Sequence, residues 1–427
     1  MTDTIFALSS GAPPAGIAVI RLSGPQAGPA LLALARRTPP PRMASLALLR
    51  DPRDGAPLDR ALTLWLPGPA TVTGEDMAEL HCHGGRAVIA GVEAALAAMP
   101  GLRRAEPGEF TRRAFDNGRM DLNAVEGLSD LLAAETQQQR RAALMMAEGH
   151  FSRRIGEWRL RLLDLSAMAE AALDFSDEDD VPDAQIEQRI GAGIATLAAD
   201  VAAILSAPSA ERLRDGVRVV LAGPPNAGKS TLLNALVGRE AAIVSDIAGT
   251  TRDRIEAPAA IGGVAFLFTD TAGLRDATSD RIEAIGMDRA RAALEGADII
   301  LWLGPPGKVP RGDALLIAAQ CDHVDHRGHP GLSVSARTGE GMERLVTTLL
   351  DRARGLLPGE GEYALHARQR EGAALLHRHL MAAGEAHDLL ILAEELRQAR
   401  RAIDSLTGRA GTEDMLDRLF SGFCIGK

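Results

Sequence analysis

Three cysteines in 427 residues, Cys82, Cys321 and Cys424, are too few, too widely spaced and odd in number for a disulfide framework. Their scarcity fits a reducing compartment. Aromatic residues are scarce too: one Tyr, three Trp and nine Phe leave the cores to Leu, Ala, Val and Ile. Excess positive charge is missing, the formal net charge being −10, which argues against gripping nucleic acid by bulk electrostatics but leaves local patches open. The first 30 residues contain no basic segment followed by an unbroken apolar stretch. No run approaches the roughly 20 apolar residues of a spanning helix. The expectation is a cytoplasmic protein with no membrane association.

What is there is chain enough for more than one core. Up to about residue 118 the texture is mixed α/β, with strands expected at Gly16–Leu22 and Ala61–Leu66 and a helix at Gly84–Met99. From about Leu122 it turns helical. Ile155, Trp158, Leu162, Leu165, Met168 and Ala172 recur at three- and four-residue steps, the stripe of a bundle core. The acidic stretch Asp174–Asp180 reads as a solvated loop ahead of the helix expected near Asp183 to Leu205. Strands and helices alternate to about Leu350, and helices resume from Ala364 to Leu406. A compact α/β domain flanked by helical segments suggests insertion of one into the other.

The α/β part opens on an apolar run, Val217 to Ala222, followed by Gly223-Pro-Pro-Asn-Ala-Gly-Lys-Ser-Thr231 and a helical pattern. Alone, such spacing arises by chance in a chain with 44 Gly. Between a strand and a helix it reads as a phosphate loop, with Lys229 for the outer phosphates and Ser230 for Mg²⁺. Asp270-Thr-Ala-Gly273 at the end of a second apolar run supplies a strand-end carboxylate for Mg²⁺ and an N–H on Gly273 for the γ-phosphate. Gly249-Thr-Thr-Arg-Asp253 between the two makes the order that of a GTPase, with Thr251 completing the Mg²⁺ shell. Where Asn-Lys-x-Asp is expected after Leu315–Ala318 stand Ala319, Gln320, Cys321 and Asp322. Asp322 accepts from guanine N1–H and N2–H₂, so guanine preference is expected with weakened affinity. Ser335, Ala336 and Arg337 form the last base-facing loop. Leu274 takes the place of a water-positioning Gln and cannot orient water.

Two further groups of residues have bland readings. His81, Cys82 and His83 alternate across a strand, so Cys82 points away from both histidines and a zinc site is not expected. The arginine pairs at 103/104, 112/113, 140/141 and 153/154 are read as solvated faces, tRNA or partner contact being the alternative.

With these motifs in place, the chain resembles the tRNA-modification GTPase family MnmE (TrmE) along its whole length. The resemblance rests on Asp3–Ile5, Arg21–Gly24, Gly74–Leu80 with His83–Gly85, Gly108–Phe115, the loops already named, and the terminal Phe423-Cys-Ile-Gly-Lys427. It implies a multidomain α/β and α protein: an N-terminal α+β folate-binding and dimerisation domain at 1–118, a discontinuous helical domain at 119–214 and 355–427, and an inserted Ras-like P-loop GTPase domain at 215–354. It implies a homodimer that joins an FAD-containing partner, MnmG (GidA), in a heterotetramer. With GTP, Mg²⁺, K⁺ and 5-formyl- or methylene-tetrahydrofolate, the pair would install an aminomethyl-type group at C5 of the tRNA wobble uridine.

Carried over residue by residue, GTP contacts are expected at Asn226, Ala227, Gly228, Lys229, Ser230, Thr231, Ser245, Thr250, Thr251, Asp270, Thr271, Ala272, Gly273, Asp322, Ser335, Ala336 and Arg337. K⁺ is expected at Asn226, Ser245, Ile247 and Thr250, in place of an arginine finger. Glu283 aligns with the water-orienting glutamate if one residue is inserted in Asp276–Asp280, and Cys424 is a candidate at the modification site. Folate contacts fall on Arg21, Glu79, Arg119 and Lys427. Two rivals stand beside this reading: a ribosome-assembly GTPase, for which no RNA-binding module or second GTPase domain is seen, and a binding switch with little catalysis.

Overall fold

The structure is a computed structural model that describes residues 3–174, 183–208, 210–238, 256–271, 288, 290–323, 330–359, 361, 363–408 and 413–426. The chain gathers into two units, Met1–Ser129 with Thr407–Lys427, and Asp130–Leu406.

The first unit is built on a six-stranded sheet of β1 (Thr4–Leu8), β2 (Ala15–Ser23), β3 (Ser45–Arg50), β4 (Pro57–Leu66), β5 (Met77–Gly84) and β6 (Leu102–Arg104). Their order is β3-β4-β5-β2-β1-β6, with only β6 parallel to its neighbour. Period-two alternation separates the faces of β5. Ala78, Leu80 and Cys82 enter a core shared with Ile20 and Leu22 of β2 and with residues of α1 (Ala27–Ala35) and α2 (Arg86–Ala97). Glu79 and His81 therefore face the other side.

That other side is covered in part by α3 (Glu109–Asp116), whose Phe110 packs on Ile5 and Ala7. Arg113 of α3 has no exposed side-chain area. Its guanidinium donates to the Asp3 carbonyl at 3.0 Å, the Asp3 and Glu75 carboxylates at 3.0 Å each and Glu109 at 3.2 Å. Arg103 reaches Asp3 and Glu109 from the other side. Arg113 alone of these paired arginines is buried and corrects the expectation of a solvated face, Arg103 staying 44% exposed: a buried guanidinium persists only when ringed by carboxylates and carbonyls. The terminal helix Glu413–Ser421 belongs to this unit, with Phe420 and Phe423 packing around Val125 of α4 (Leu122–Ala133). A Cβ at Gly108 would lie 2.4 Å from the Phe420 carbonyl oxygen, so the close approach needs glycine there.

The second unit combines a helical part with a parallel sheet. α5 (Gln137–Ala147), α6 (His150–Asp174), α7 (Asp183–Leu205) and α8 (Ala210–Asp215) precede the sheet. It is formed by β7 (Val217–Ala222), β8 (Glu256–Ile261), β9 (Val264–Asp270), β10 (Ile299–Trp302), β11 (Leu315–Ala319) and β12 (Leu332–Val334), with α9 (Lys229–Val237) and α10 (Met342–Arg354). α11 (Ala367–Glu385) and α12 (Leu389–Leu406) return to the helical part. The sheet order is β12-β11-β10-β7-β9-β8, with β8 alone antiparallel. β7, buried on both faces, reads as a nearly unbroken apolar run for that reason.

The expected stripe on α6 is realised: Ile155, Trp158, Leu162, Leu165 and Ala172 are buried and Met168 is partly so. Gln185–Leu205 has a mean hydropathy of 1.3 over its most apolar window, long and apolar enough for a span by length and composition. Its Ile190, Ile194, Leu197 and Val201 point into the core shared with α6, α11 and α12, the signature of a core helix.

A buried amide ties the helical part to the segment entering the sheet. Gln139 accepts from the N–H groups of Glu135 and Thr136 at 2.8 Å each, and donates to the carbonyls of Leu213 at 2.9 Å and Arg214 at 3.2 Å. The start of α5 is thereby fixed to the segment entering β7.

The buried charge lattice generates a prediction. Arg113→Leu removes the buried cation shared by Asp3, Glu75 and Glu109, leaving Arg103 to the first and last of these, and urea denaturation should show a loss of about 3–5 kcal/mol from the first unit. For Asp3 and Glu109, burial pushes the carboxyls up, but hydrogen bonds and charge from Arg103 and Arg113 bring both net below their ordinary values. Their contribution to stability is therefore full above about pH 4.5 and lost as pH falls through the depressed folded values. A midpoint unchanged between pH 6 and 3 would contradict this.

Candidate nucleotide site

β7 ends at Ala222, and the chain turns sharply into α9 through residues 223–228. Gly223 has φ 153°, and a Cβ on it would lie 2.8 Å from the Leu303 carbonyl oxygen. Gly228, at φ 86°, caps the N-terminus of α9. Asn226 is also left-handed, φ 62°, a conformation that Asn adopts more readily than most side chains. The loop coils around its own lysine: Lys229, 5% exposed, donates to the carbonyls of Pro224 at 2.8 Å and Gly223 at 3.2 Å. A buried ammonium at a helix N-terminus is the chemistry of a phosphate site.

Parallel pairing of β7 with β9 sets Leu221 opposite Asp270. Thr271 holds that register, its hydroxyl donating to the Leu221 carbonyl at 2.9 Å. Asp270, 6% exposed, then receives the Ser230 hydroxyl at 2.5 Å. A hydroxyl and a carboxylate converging from two elements are the hard oxygen donors Mg²⁺ requires, so the residues present fit that ion.

The base loop lies at the same end of the sheet. β11 stops at Ala319, and Gln320 turns left-handed at φ 59°. Its amide nitrogen would be 3.2 Å from a Cβ on Gly228, so Gln320 lies directly against the phosphate loop. The left-handed turn that places it there is invisible to residue type. Asp322 is held by Arg337, Nε at 2.9 Å and Nη2 at 2.5 Å from one carboxylate oxygen. Hydrogen bonding from the Ser335 side chain, then Arg337, holds the Asp322 carboxyl down at about 2. Ser335 is wholly buried and receives the Thr338 N–H at 3.1 Å.

Asn226 to Thr231, Asp270, Thr271, Asp322 and Ser335 to Arg337 thus occupy the C-terminal edge of one sheet, where ligands of open α/β folds bind. Ser245, Ile247, Thr250, Thr251, Ala272, Gly273, Glu283 and Lys427 lie outside the described residues.

In the first unit, Arg21 and Glu79 are register partners, with Nε and Nη2 each 3.1 Å from Glu79 Oε1. His81 adds a third group, Nε2 to Glu79 Oε2 at 3.0 Å. Burial raises the Glu79 carboxyl, but the hydrogen bond with His81 and the charge and hydrogen bond of Arg21 leave it net below its ordinary value. The sequence reading grouped His81 with Cys82 and His83 and missed this link, although the two-residue step from Glu79 signals a shared face. Cys82 lies in the core on the opposite face, where burial and then the Asp59 charge push its thiol to about 12. Arg119 donates to the Thr71 carbonyl at 3.1 Å. The chain end runs past this sheet: Ile425 bridges Pro107, and the Gly426 carbonyl receives the Ser9 hydroxyl at 2.9 Å. Cys424 is exposed.

Comparison with known proteins adds an independent line. A family model described as the MnmE helical domain matches residues 122–424, and one described as the GTP-binding protein TrmE N-terminus matches residues 4–119. A tRNA modification GTPase MnmE of Rhizorhabdus wittichii is 62% identical over 429 residues, covering 100% of this chain and 97% of the relative. One of Novosphingobium aromaticivorans is 59% identical, with 100% of both chains covered, and one of Zymomonas mobilis is 51% identical over 99% of this chain and 100% of the relative. A helical-domain match across most of the chain, an N-terminal match before it and relatives aligned from end to end lead to one conclusion: this chain belongs to the MnmE family of tRNA-modification GTPases.

Proposed function

We propose that this chain is a K⁺-dependent GTPase that, with an FAD-containing partner of the MnmG (GidA) kind, installs an aminomethyl or carboxymethylaminomethyl group at C5 of the tRNA wobble uridine. The observation that carries the GTPase reading is the convergence of the Ser230 hydroxyl on Asp270 at 2.5 Å, beside an ammonium enclosed by the loop. Two hard oxygens and a buried cation at one helix N-terminus suit a Mg²⁺-bound triphosphate.

Each residue then has a physical task. Lys229 and the loop amides hold the phosphate chain and spread its charge. Asp322 accepts from the guanine edge, while Gln320 closes the loop from the side. Ser230 with Thr251 would hold Mg²⁺, which supplies positive charge to the β- and γ-phosphate oxygens. Asn226, with Ser245, Ile247 and Thr250, would hold K⁺, a fixed charge doing the work of an arginine finger. Asn226 fits this role because its left-handed backbone lies within the phosphate loop itself. Glu283 orients the attacking water, a task closed to Leu274.

The uridine chemistry belongs to the first unit in this reading. Arg21, Arg119 and Lys427 offer cations to the carboxylates of a tetrahydrofolate, and Glu79 accepts from the N–H edge of its ring. Residues 1–118 would also form the homodimer, with helical segments at 119–214 and 355–427 carrying the state of the GTPase part at 215–354 to the partner. Cys424, exposed beside that sheet, is available to the reaction.

Two measurements test the proposal. Exchanging K⁺ for Na⁺ in a single-turnover GTP assay should slow hydrolysis by about 10²-fold or more, the usual cost of removing a transition-state charge stabiliser. Equal rates in both ions would reject the cation role. Glu283→Ala should lower turnover by about 10²–10⁴-fold with nucleotide affinity retained, and an unchanged rate would move the water-orienting task elsewhere. Mass analysis of wobble nucleosides from a strain lacking this protein gives the product.

A further inference from the structure

Arg337 holds Asp322 in a way that bears on how guanine enters the site. Its Nε and Nη2, at 2.9 and 2.5 Å, both donate to Oδ2 of the carboxylate. Guanine presents a related edge. N1–H and the N2 amino group are attached to one carbon, so the base is a cyclic guanidine whose paired donors seek a carboxylate. Arginine presents the same pair of donors on one carbon, with a full positive charge added. The acceptor of the base site is therefore occupied by a side chain of the chain's own, bearing the ligand's donor pattern.

The two partners differ in freedom. Asp322 is fixed: its side chain is 9% exposed, the preceding Cys321 N–H donates to the Val334 carbonyl at 3.2 Å, and the following His323 N–H donates to the Gln320 carbonyl at 2.9 Å. The Arg337 side chain is 73% exposed and can swing into water at little cost. Guanine and Arg337 compete for the same carboxylate, and Arg337 is the one able to leave.

We propose that Arg337 is an intramolecular competitor for the guanine-reading carboxylate: it must be displaced when a guanine nucleotide binds, and it recaptures Asp322 as the nucleotide departs. The inference rests on Asp322 being the base reader. It makes Arg337 a residue that sets affinity and exchange, adding to the weakening already expected from Ala319 and Gln320. An exposed, charge-assisted pair of this kind corresponds to a competition of about two- to fivefold.

The test is a stopped-flow measurement of fluorescent N-methylanthraniloyl-GDP binding and release by the full chain, wild type against Arg337→Ala and Arg337→Lys. Arg337→Ala should bind GDP about two- to fivefold more tightly and release it correspondingly more slowly. Arg337→Lys, a point charge without paired donors, should fall between. The gap between wild type and Arg337→Ala should narrow as salt is raised, because screening weakens the competitor. Weaker binding by Arg337→Ala would overturn the inference and make Arg337 a base-packing residue; unchanged affinity and release would overturn it as well. A wild-type chain that binds ADP as well as GDP would instead remove the base-reading role of Asp322, and the proposal with it. Selectivity for GDP with no effect of Arg337→Ala would reject the proposal alone.

Discussion

The parallel register of β7 and β9 is the constraint on which the nucleotide site depends. It sets Leu221 opposite Asp270, and the Thr271 hydroxyl on the Leu221 carbonyl keeps it from slipping. Moving that register by one residue would turn Asp270 to the opposite face of the sheet, away from the Ser230 hydroxyl. The phosphate loop starts at the residue after β7 ends, so this strand pairing decides whether Ser230 and Asp270 meet at all. The same pairing places β7 between β9 and β10, which opens the edge of the sheet where the base loop joins the phosphate loop.

Within the second unit, the segment entering this sheet is tied to the helices around it. Gln139 satisfies both halves of its amide, on the N–H groups just before α5 and on carbonyls of α8. A buried amide with both functions bonded tolerates little displacement, because breaking one side leaves an unsatisfied polar group in a dry place. Arg370 of α11 donates to the carbonyls of Leu205 and Ala207 at the end of α7, on the other side of the same entry to the sheet. The entry to the sheet is thus held by polar ties rather than by a loose linker.

The first unit is held together by a different device. Its sheet spends one face on an apolar core with α1 and α2, and the other carries Arg21, Glu79 and His81 beside the Arg113 lattice. Charges of both signs crowd that second face, and their mutual pairing makes the burial tolerable. The last described residues join this unit through Phe420 and Phe423, which pack around Val125, and through the backbone at Ile425 and Gly426.

Local patterns were legible in the sequence because they are local physics. The helical stripe from Ile155 to Ala172, the phosphate loop with its two glycines, the strand-end aspartate and the alternation that turns Cys82 inward follow from periods of 3.6 and 2 and from the backbone freedom of glycine. The surviving Asp322 could be singled out by donor and acceptor chemistry. Contacts between distant segments were decided by the tertiary structure alone: Arg113 buried among Asp3, Glu75 and Glu109, His81 joined to Glu79 and Arg21, Gln320 laid against Gly228, and the chain end returned to the first sheet. An arginine has the same composition whether solvated or ringed by carboxylates, and an apolar helix such as Gln185–Leu205 has the same hydropathy in a bilayer as in a bundle. Only packing, which sets the neighbours and the dielectric each group experiences, distinguishes those states.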